Sequence, residues 1–212
     1  MGVGRIISLA AIFALGLATG TGGAALLKPR TPPDITLTHR GAPPANTGRA
    51  RTDGIHAPRV LAGDALARLT AQPALWGEAP RADDLRGNVV VVTFFASWCP
   101  PCREELAKLA QLHAKHATGG LRVVAINYFE EWEGVSDDAK LALFLERVNM
   151  PFPAVRGDKA MVDWFGGVRY IPTLFVFDRT GAQVHAAENP GAELTMPGME
   201  ELEAMLTRLL AG

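Results

Sequence analysis

The hydrophobic pattern divides the chain into three parts. From Ile6 to Leu27 there is no charged residue. As a helix that run would be roughly 33 Å long, enough to cross a bilayer core. Small residues near its end, Ala18-Thr19-Gly20 and Gly22-Gly23-Ala24, also fit a signal-peptidase site. Residues 1–27 are therefore expected to be a signal peptide or a transmembrane anchor, and both readings export the rest of the chain. A small charge bias opposes this, since Lys28 and Arg30 outnumber Arg5 across the span. Residues 28–58 are rich in Pro, Thr, Ala, Gly and Arg, with no sustained helical or strand period, and read as a flexible linker.

From Arg59 the pattern becomes periodic, and residues 59–212 are expected to form the folded domain. Val60–Leu69 predicts a short helix, and Arg81–Gly87 a polar turn. Val89–Phe95, VVVVTFF, is a continuous apolar run that suits a strand buried on both faces. Glu104–Lys115 predicts a helix, with Leu106, Leu109 and Leu112 inward and Gly119-Gly120 as its stop. Leu121–Asn127 predicts a second apolar strand. Strand, helix, strand at this spacing is a βαβ unit, so the two strands should be parallel. Two more helices are predicted over Asp138–Val148 and Asp158–Phe165. Thr173–Phe177 and Ala182–Ala187 predict a hairpin around Asp178-Arg179-Thr180-Gly181. Glu200–Leu210 closes the chain as an amphipathic helix. The expected architecture is an α/β domain with a central mixed sheet flanked by helices.

Composition adds two constraints. The formal net charge is −1, so the chain as a whole is no polyelectrolyte binder and no nucleic-acid partner is expected. There are two cysteines, both in the stretch SWCPPCREE at 97–105. Such a pair is a redox couple, half of a metal site, or a coincidence. A metal site needs two more ligands. His113 and His116 lie at the far end of the same predicted helix, out of reach of Cys99, so no metal is expected.

The position of the pair favours redox chemistry. Cys99 stands where a strand ends and a helix begins, where unpaired backbone N–H groups and the helix dipole favour a negative charge. A thiol there has a lowered pKa, and the thiolate is the nucleophile. Cys102 sits one turn on, close enough to form a disulfide. Pro100-Pro101 begins the helix with preset φ and no N–H to lose. Trp98 can shield one side. In this arrangement Cys99 attacks a substrate disulfide and Cys102 resolves the mixed disulfide.

The segments VVVVTFFASWCPPCREEL, LRVVAINYFE and VRYIPTLFVFDRTG occur in that order over roughly residues 82–187. With them the domain resembles the thioredoxin superfamily, and more closely its exported, often membrane-anchored TlpA/ResA-like thiol–disulfide oxidoreductases. The resemblance implies a thioredoxin-like fold and a cis proline facing the disulfide. That proline is Pro172, and Ile171, Pro172 and Thr173 with Trp98 would contact substrate. Several members of the family also carry a glutamate three residues after the second cysteine, tied to deprotonation of that thiol. Glu105 matches it, and a buried carboxylate there could accept the Cys102 proton. Glu104 is expected to face solvent. The buried aspartate of cytosolic thioredoxins has no clear match, since Asp83 and Asp84 fall in the predicted polar turn.

The resemblance further implies protein substrates with thiols or disulfides, electrons from a membrane thiol donor, and a place on the periplasmic side of a bacterial envelope. Reduction of targets such as apocytochrome c is also implied, with no cofactor beyond the dithiol. A disulfide oxidase and a docking or chaperone module with little redox turnover are the competing functions. The peroxidatic Thr/Ser-x-x-Cys setting is not evident. The acidic, aromatic loop at residues 127–135 stands at the carboxyl end of a strand, where it would either border a ligand groove or be a solvated loop with Tyr128 or Trp132 packed as core. The loop at 188–198 has no assigned role.

Overall fold

Val89–Phe95 is buried at every position, and the rest of the domain is arranged around it. The structure is a computed structural model, in which residues 54–131, 137–189 and 196–212 are described. Among these the strands are β1 (Ala74–Trp76), β2 (Val89–Phe95), β3 (Leu121–Asn127), β4 (Ala154–Arg156), β5 (Thr173–Phe177) and β6 (Gln183–Glu188). The helices are α1 (Gly63–Thr70), α2 (Ala82–Leu85), α3 (Pro100–His116), α4 (Asp138–Val148), α5 (Lys159–Trp164) and α6 (Met199–Ala211). No helix among the described residues is long and apolar enough to cross a membrane. The expected signal or anchor at 1–27, and the linker up to residue 53, lie outside the described residues.

The sheet order is β1-β4-β3-β2-β5-β6. β2 and β3 are parallel, as the βαβ reading requires, and β5 runs antiparallel to β2. The alternation of a strand decides which helices cover which face. Val89, Val91 and Phe95 of β2 pack with Leu106, Leu109 and Leu112 of α3, Phe144 of α4 and Leu202 and Leu206 of α6. Val90, Val92 and Phe94 point the other way, toward Leu66 and Leu69 of α1, Leu85 of α2 and Met161 of α5. Phe94 meets Phe165 edge-on at 5.1 Å, and Phe165 also packs on Phe175 at 4.6 Å. Both faces are thus dry, which is why β2 is apolar without interruption.

Several expectations are corrected. The polar turn at 81–87 contains the helical turn α2, which buries Leu85 while Arg81 pairs with Asp84 on the outside. The first helix starts at Gly63, not Val60. Val60 is 56% exposed and bridges Ala182, whereas Leu61 is buried in the core. β1 and β4 carry no signal in the sequence, because three residues are too few to display a period. At the end of the expected linker, Gly54–His56 makes a 3-10 turn and Ile55 is buried. The Arg59 guanidinium secures this turn, donating to the carbonyls of Gly54 and Ile55 at 2.6 and 3.0 Å and to that of Trp164 at 2.7 Å.

Candidate active site

Three chain segments meet at one end of the sheet. β2 and β3 run parallel, so both deliver their carboxyl ends there, and antiparallel β5 delivers its start. Phe94 pairs with Ile126 on one side and Thr173 on the other. The loop from Ala96 to Cys99, the segment after Asn127, and Ile171-Pro172-Thr173 therefore lie side by side.

Cys99 and Cys102 form a disulfide. Cys99 is the N-cap of α3, and its Sγ accepts the N–H of Cys102 at 3.2 Å. That N–H is one of the helix donors with no backbone partner, so the first turn stabilises charge on this sulfur. Pro100 and Pro101 occupy the first helical positions, where no backbone donor is lost. Cys99 is 3% exposed and Cys102 fully buried. The Sγ of Cys99 lies 3.9 Å from the carbonyl oxygen of Ile171. The Ile171–Pro172 bond is cis, so the fold sets Pro172 beside the disulfide in the conformation the resemblance implies. Thr173 is buried and its hydroxyl donates to the Tyr170 carbonyl at 2.7 Å. Trp98 is 46% exposed beside the pair, and its indole N–H donates to the Phe129 carbonyl at 2.8 Å.

Glu105 lies one turn beyond Cys102 on α3 and is 3% exposed. Burial pushes its carboxyl above the ordinary carboxylate range, and the hydrogen bond and charge of Lys108 oppose that shift. Lys108 Nζ is 2.9 Å from Oε2, while Oε1 is buried without a hydrogen-bond partner among the described residues. Glu104 is exposed. His113 packs edge-on against Phe152 and His116 approaches Glu203, both at the last turn of α3.

One residue of the site is not singled out by the sequence. Glu130 is 9% exposed and takes hydrogen bonds from the Ser97 N–H at 3.0 Å, the Ser97 hydroxyl, and Asn127 Nδ2 at 2.7 Å. It binds the cysteine loop to the end of β3. The signal for it is only the placement of the 127–135 loop at a strand's carboxyl end. Glu130 and Glu131 are indistinguishable by composition, and Glu131 is exposed. Tyr128 is half-buried against the core, and Trp132 lies outside the described residues. Next to Trp98, a groove between α3 and α4 is lined by Arg103, Leu143, Phe144 and Arg147. The Arg103 guanidinium sits 5.8 Å from the centre of the Phe144 ring.

Comparisons with known proteins give the family and the fold. The AhpC/TSA family matches residues 62–186. The chain is 34% identical over 145 residues to the thiol:disulfide interchange protein CycY of Rhizobium leguminosarum bv. viciae, covering 65% of this chain and 69% of that one. It is 36% identical over 129 residues to the thiol:disulfide interchange protein HelX of Rhodobacter capsulatus, covering 58% and 66%. The fold is shared with a thioredoxin-family thiol:disulfide interchange protein from Chlorobium tepidum, with a TM-score of 0.54 and 22% identity over 65% of this chain and 90% of that one. A matched region spanning more than half the chain, on a thioredoxin-like sheet with a disulfide capping α3, leads to one conclusion: the chain belongs to the AhpC/TSA family, as a TlpA/ResA-like thiol–disulfide oxidoreductase.

Proposed function

We propose that this chain is an exported reductant of protein disulfides. In the reduced protein, the Cys99 thiolate attacks a substrate disulfide and releases one substrate sulfur as thiolate. Cys102 then attacks Sγ of Cys99, which frees the second substrate sulfur and re-forms the Cys99–Cys102 disulfide. Trp98 and Ile171 form the accessible contact surface for the substrate chain, and Pro172 and Thr173, expected beside them, are buried behind it and shape it from below. The Ile171 carbonyl next to Cys99 is a ready hydrogen-bond acceptor for a backbone N–H of that chain.

The observation that carries the dithiol chemistry is Glu105 beneath the Cys99–Cys102 pair, while the direction rests on the resemblance to TlpA/ResA-like reductants, since a base at Cys102 serves the exchange both ways. The second step of reduction needs Cys102 as a thiolate, and a buried carboxylate one turn away can take its proton. Lys108 beside it favours the ionised, proton-accepting form. The resemblance to TlpA/ResA-like proteins supports a membrane thiol donor as electron source, a periplasmic location, and apocytochrome c thiols among the targets.

Equilibration of the full-length protein against glutathione, together with insulin reduction, tests this reading. A reductant should have a potential near that of thioredoxins, about −270 mV. A value near about −120 mV would make it an oxidase. Failure to reduce insulin by a folded protein would favour a docking role. Export is tested separately by fusing residues 1–58 to alkaline phosphatase, where activity is expected and a stable inactive fusion would place the domain in the cytoplasm.

A further inference from the structure

The carboxylate of Glu105 has two unequal oxygens. Oε2 accepts a hydrogen bond from Lys108, and Oε1 is buried with no hydrogen-bond partner among the described residues. Lys108 is held in turn: its Nζ also donates to the carbonyl of Pro197 at 3.0 Å, in the segment just before α6. Only 22% of the Lys108 side chain and 3% of the Glu105 side chain are exposed. Cys102, Glu105 and Lys108 succeed one another at intervals of three along α3. Helical side chains lean toward the helix N-terminus and cover the turn before their own Cα. Glu105 therefore leans toward Cys102, and Lys108 toward Glu105.

We propose that Lys108 is a positioning residue for proton transfer from Cys102: anchored on the Pro197 carbonyl, it fixes one oxygen of Glu105 and leaves the other to take the thiol proton. The proposal rests on the reading of Glu105 as base. The step balances as Cys102–SH plus Glu105–COO⁻ giving Cys102–S⁻ plus Glu105–COOH. The Cys102 thiolate then displaces the substrate sulfur from Cys99, and the proton on Glu105 returns to solvent or to the departing thiolate. An isolated carboxylate at this depth would hold its own proton, since burial disfavours its charged form. A cation at hydrogen-bond distance opposes that and favours the charged, proton-accepting form. Among the described residues Lys108 is the charged group that acts on Glu105, from the same helix. The segment before α6 contributes the neutral Pro197 carbonyl. This also gives the end of the 188–198 loop a role: it holds the lysine over the carboxylate.

The test compares full-length parent, Lys108→Met, Lys108→Arg, Glu105→Gln and the Lys108→Met/Glu105→Gln double variant. Two readouts are taken across pH: the rate of insulin reduction, and the carboxyl ¹³C resonance of Glu105 in the oxidised protein, assigned by its loss in Glu105→Gln. In Lys108→Met the Glu105 midpoint should move to higher pH, the acidic limb of the rate should move with it, and the rate at neutral pH should fall on the order of tenfold. Lys108→Arg should return both toward the parent. The double variant should behave as Glu105→Gln alone, because the lysine acts through the carboxylate. A Glu105-dependent profile with Lys108→Met unmoved, or Lys108→Arg no better than Lys108→Met, overturns the proposal and leaves the base reading intact. A parent-like profile for Glu105→Gln sinks the base reading, and the proposal with it.

Discussion

Ser97 gives two hydrogen bonds to the carboxylate of Glu130, one from its backbone N–H at 3.0 Å and one from its hydroxyl. Only Trp98 lies between Ser97 and Cys99, and Trp98 itself donates to the carbonyl of Phe129, the neighbour of Glu130. The loop that presents the disulfide is thereby bound to the end of β3.

Removing the acceptor should expose how much that binding is worth. Glu130→Ala leaves the Ser97 N–H and one N–H of the fully buried Asn127 amide without an acceptor, the amide keeping only its 3.5 Å bond to the Phe95 carbonyl. Each abandoned donor costs about 1–3 kcal/mol. Denaturant unfolding of the oxidised protein should show a loss of that order, against a change within about 0.5 kcal/mol for the exposed Glu131→Ala. Equal midpoints for the two variants would show that the network adds nothing to stability.

Cys99, rather than Cys102, should be the reactive thiol. It caps α3 and receives the Cys102 N–H, whereas Cys102 lies within the helix and is fully buried. In the reduced protein at neutral pH, iodoacetamide treatment and peptide mass spectrometry should show Cys99 labelled several-fold faster. Cys102→Ser should accumulate mixed disulfides through Cys99, and Cys99→Ser should not. Faster labelling of Cys102 would reverse the assignment.

Glu105 ties stability to pH with a defined sign. Its folded-state pKa is raised by burial, more than Lys108 lowers it. The folded protein then binds more protons than the unfolded chain, and stability declines as pH rises from the ordinary carboxylate range through the folded pKa. Glu105→Gln removes that dependence. Urea midpoints of the oxidised parent and variant should therefore diverge in the variant's favour as pH rises above the ordinary glutamate value of about 4.3. Parallel curves over that range would mean that Glu105 titrates alike in both states.

The hairpin between β5 and β6 depends on Asp178. One of its oxygens accepts the Thr180 N–H at 2.8 Å, the Thr180 hydroxyl at 2.6 Å and the Ala182 N–H at 3.0 Å. These bonds, the Thr180 hydroxyl first, hold its carboxyl below the usual range. The contribution is present above the unfolded-state carboxylate pKa and is lost as pH falls through the lowered folded value. Asp178→Ala should cost about 1 kcal/mol at neutral pH and less in acid. An undiminished cost in acid would assign the effect to side-chain packing instead.

The centre of the sheet and the identity of the dithiol are legible in one dimension. Val89–Phe95 is buried on both faces, so it must be apolar at every position, and that continuity needs no partner to be seen. The same holds for the βαβ order, which requires β2 and β3 to be parallel, and for Thr173–Phe177 beginning beside the cysteine loop. Motif resemblance brings Pro172 and Glu105 into view, because both stand at set distances from recognisable strands and cysteines. Features that depend on partners distant along the chain emerge only in three dimensions. β1 and β4 exist because they pair with each other at the edge of β3, not because three residues carry a pattern. Glu130 differs from Glu131 only in facing Ser97 and Asn127, a contact made when two strand ends are brought together. Lys108 reads as an ordinary helix-surface lysine until the chain returns, 89 residues later, to put the Pro197 carbonyl against its ammonium. Local sequence encodes periodicity and helix ends, while the charge and orientation of a buried side chain are set by whatever the fold places across from it.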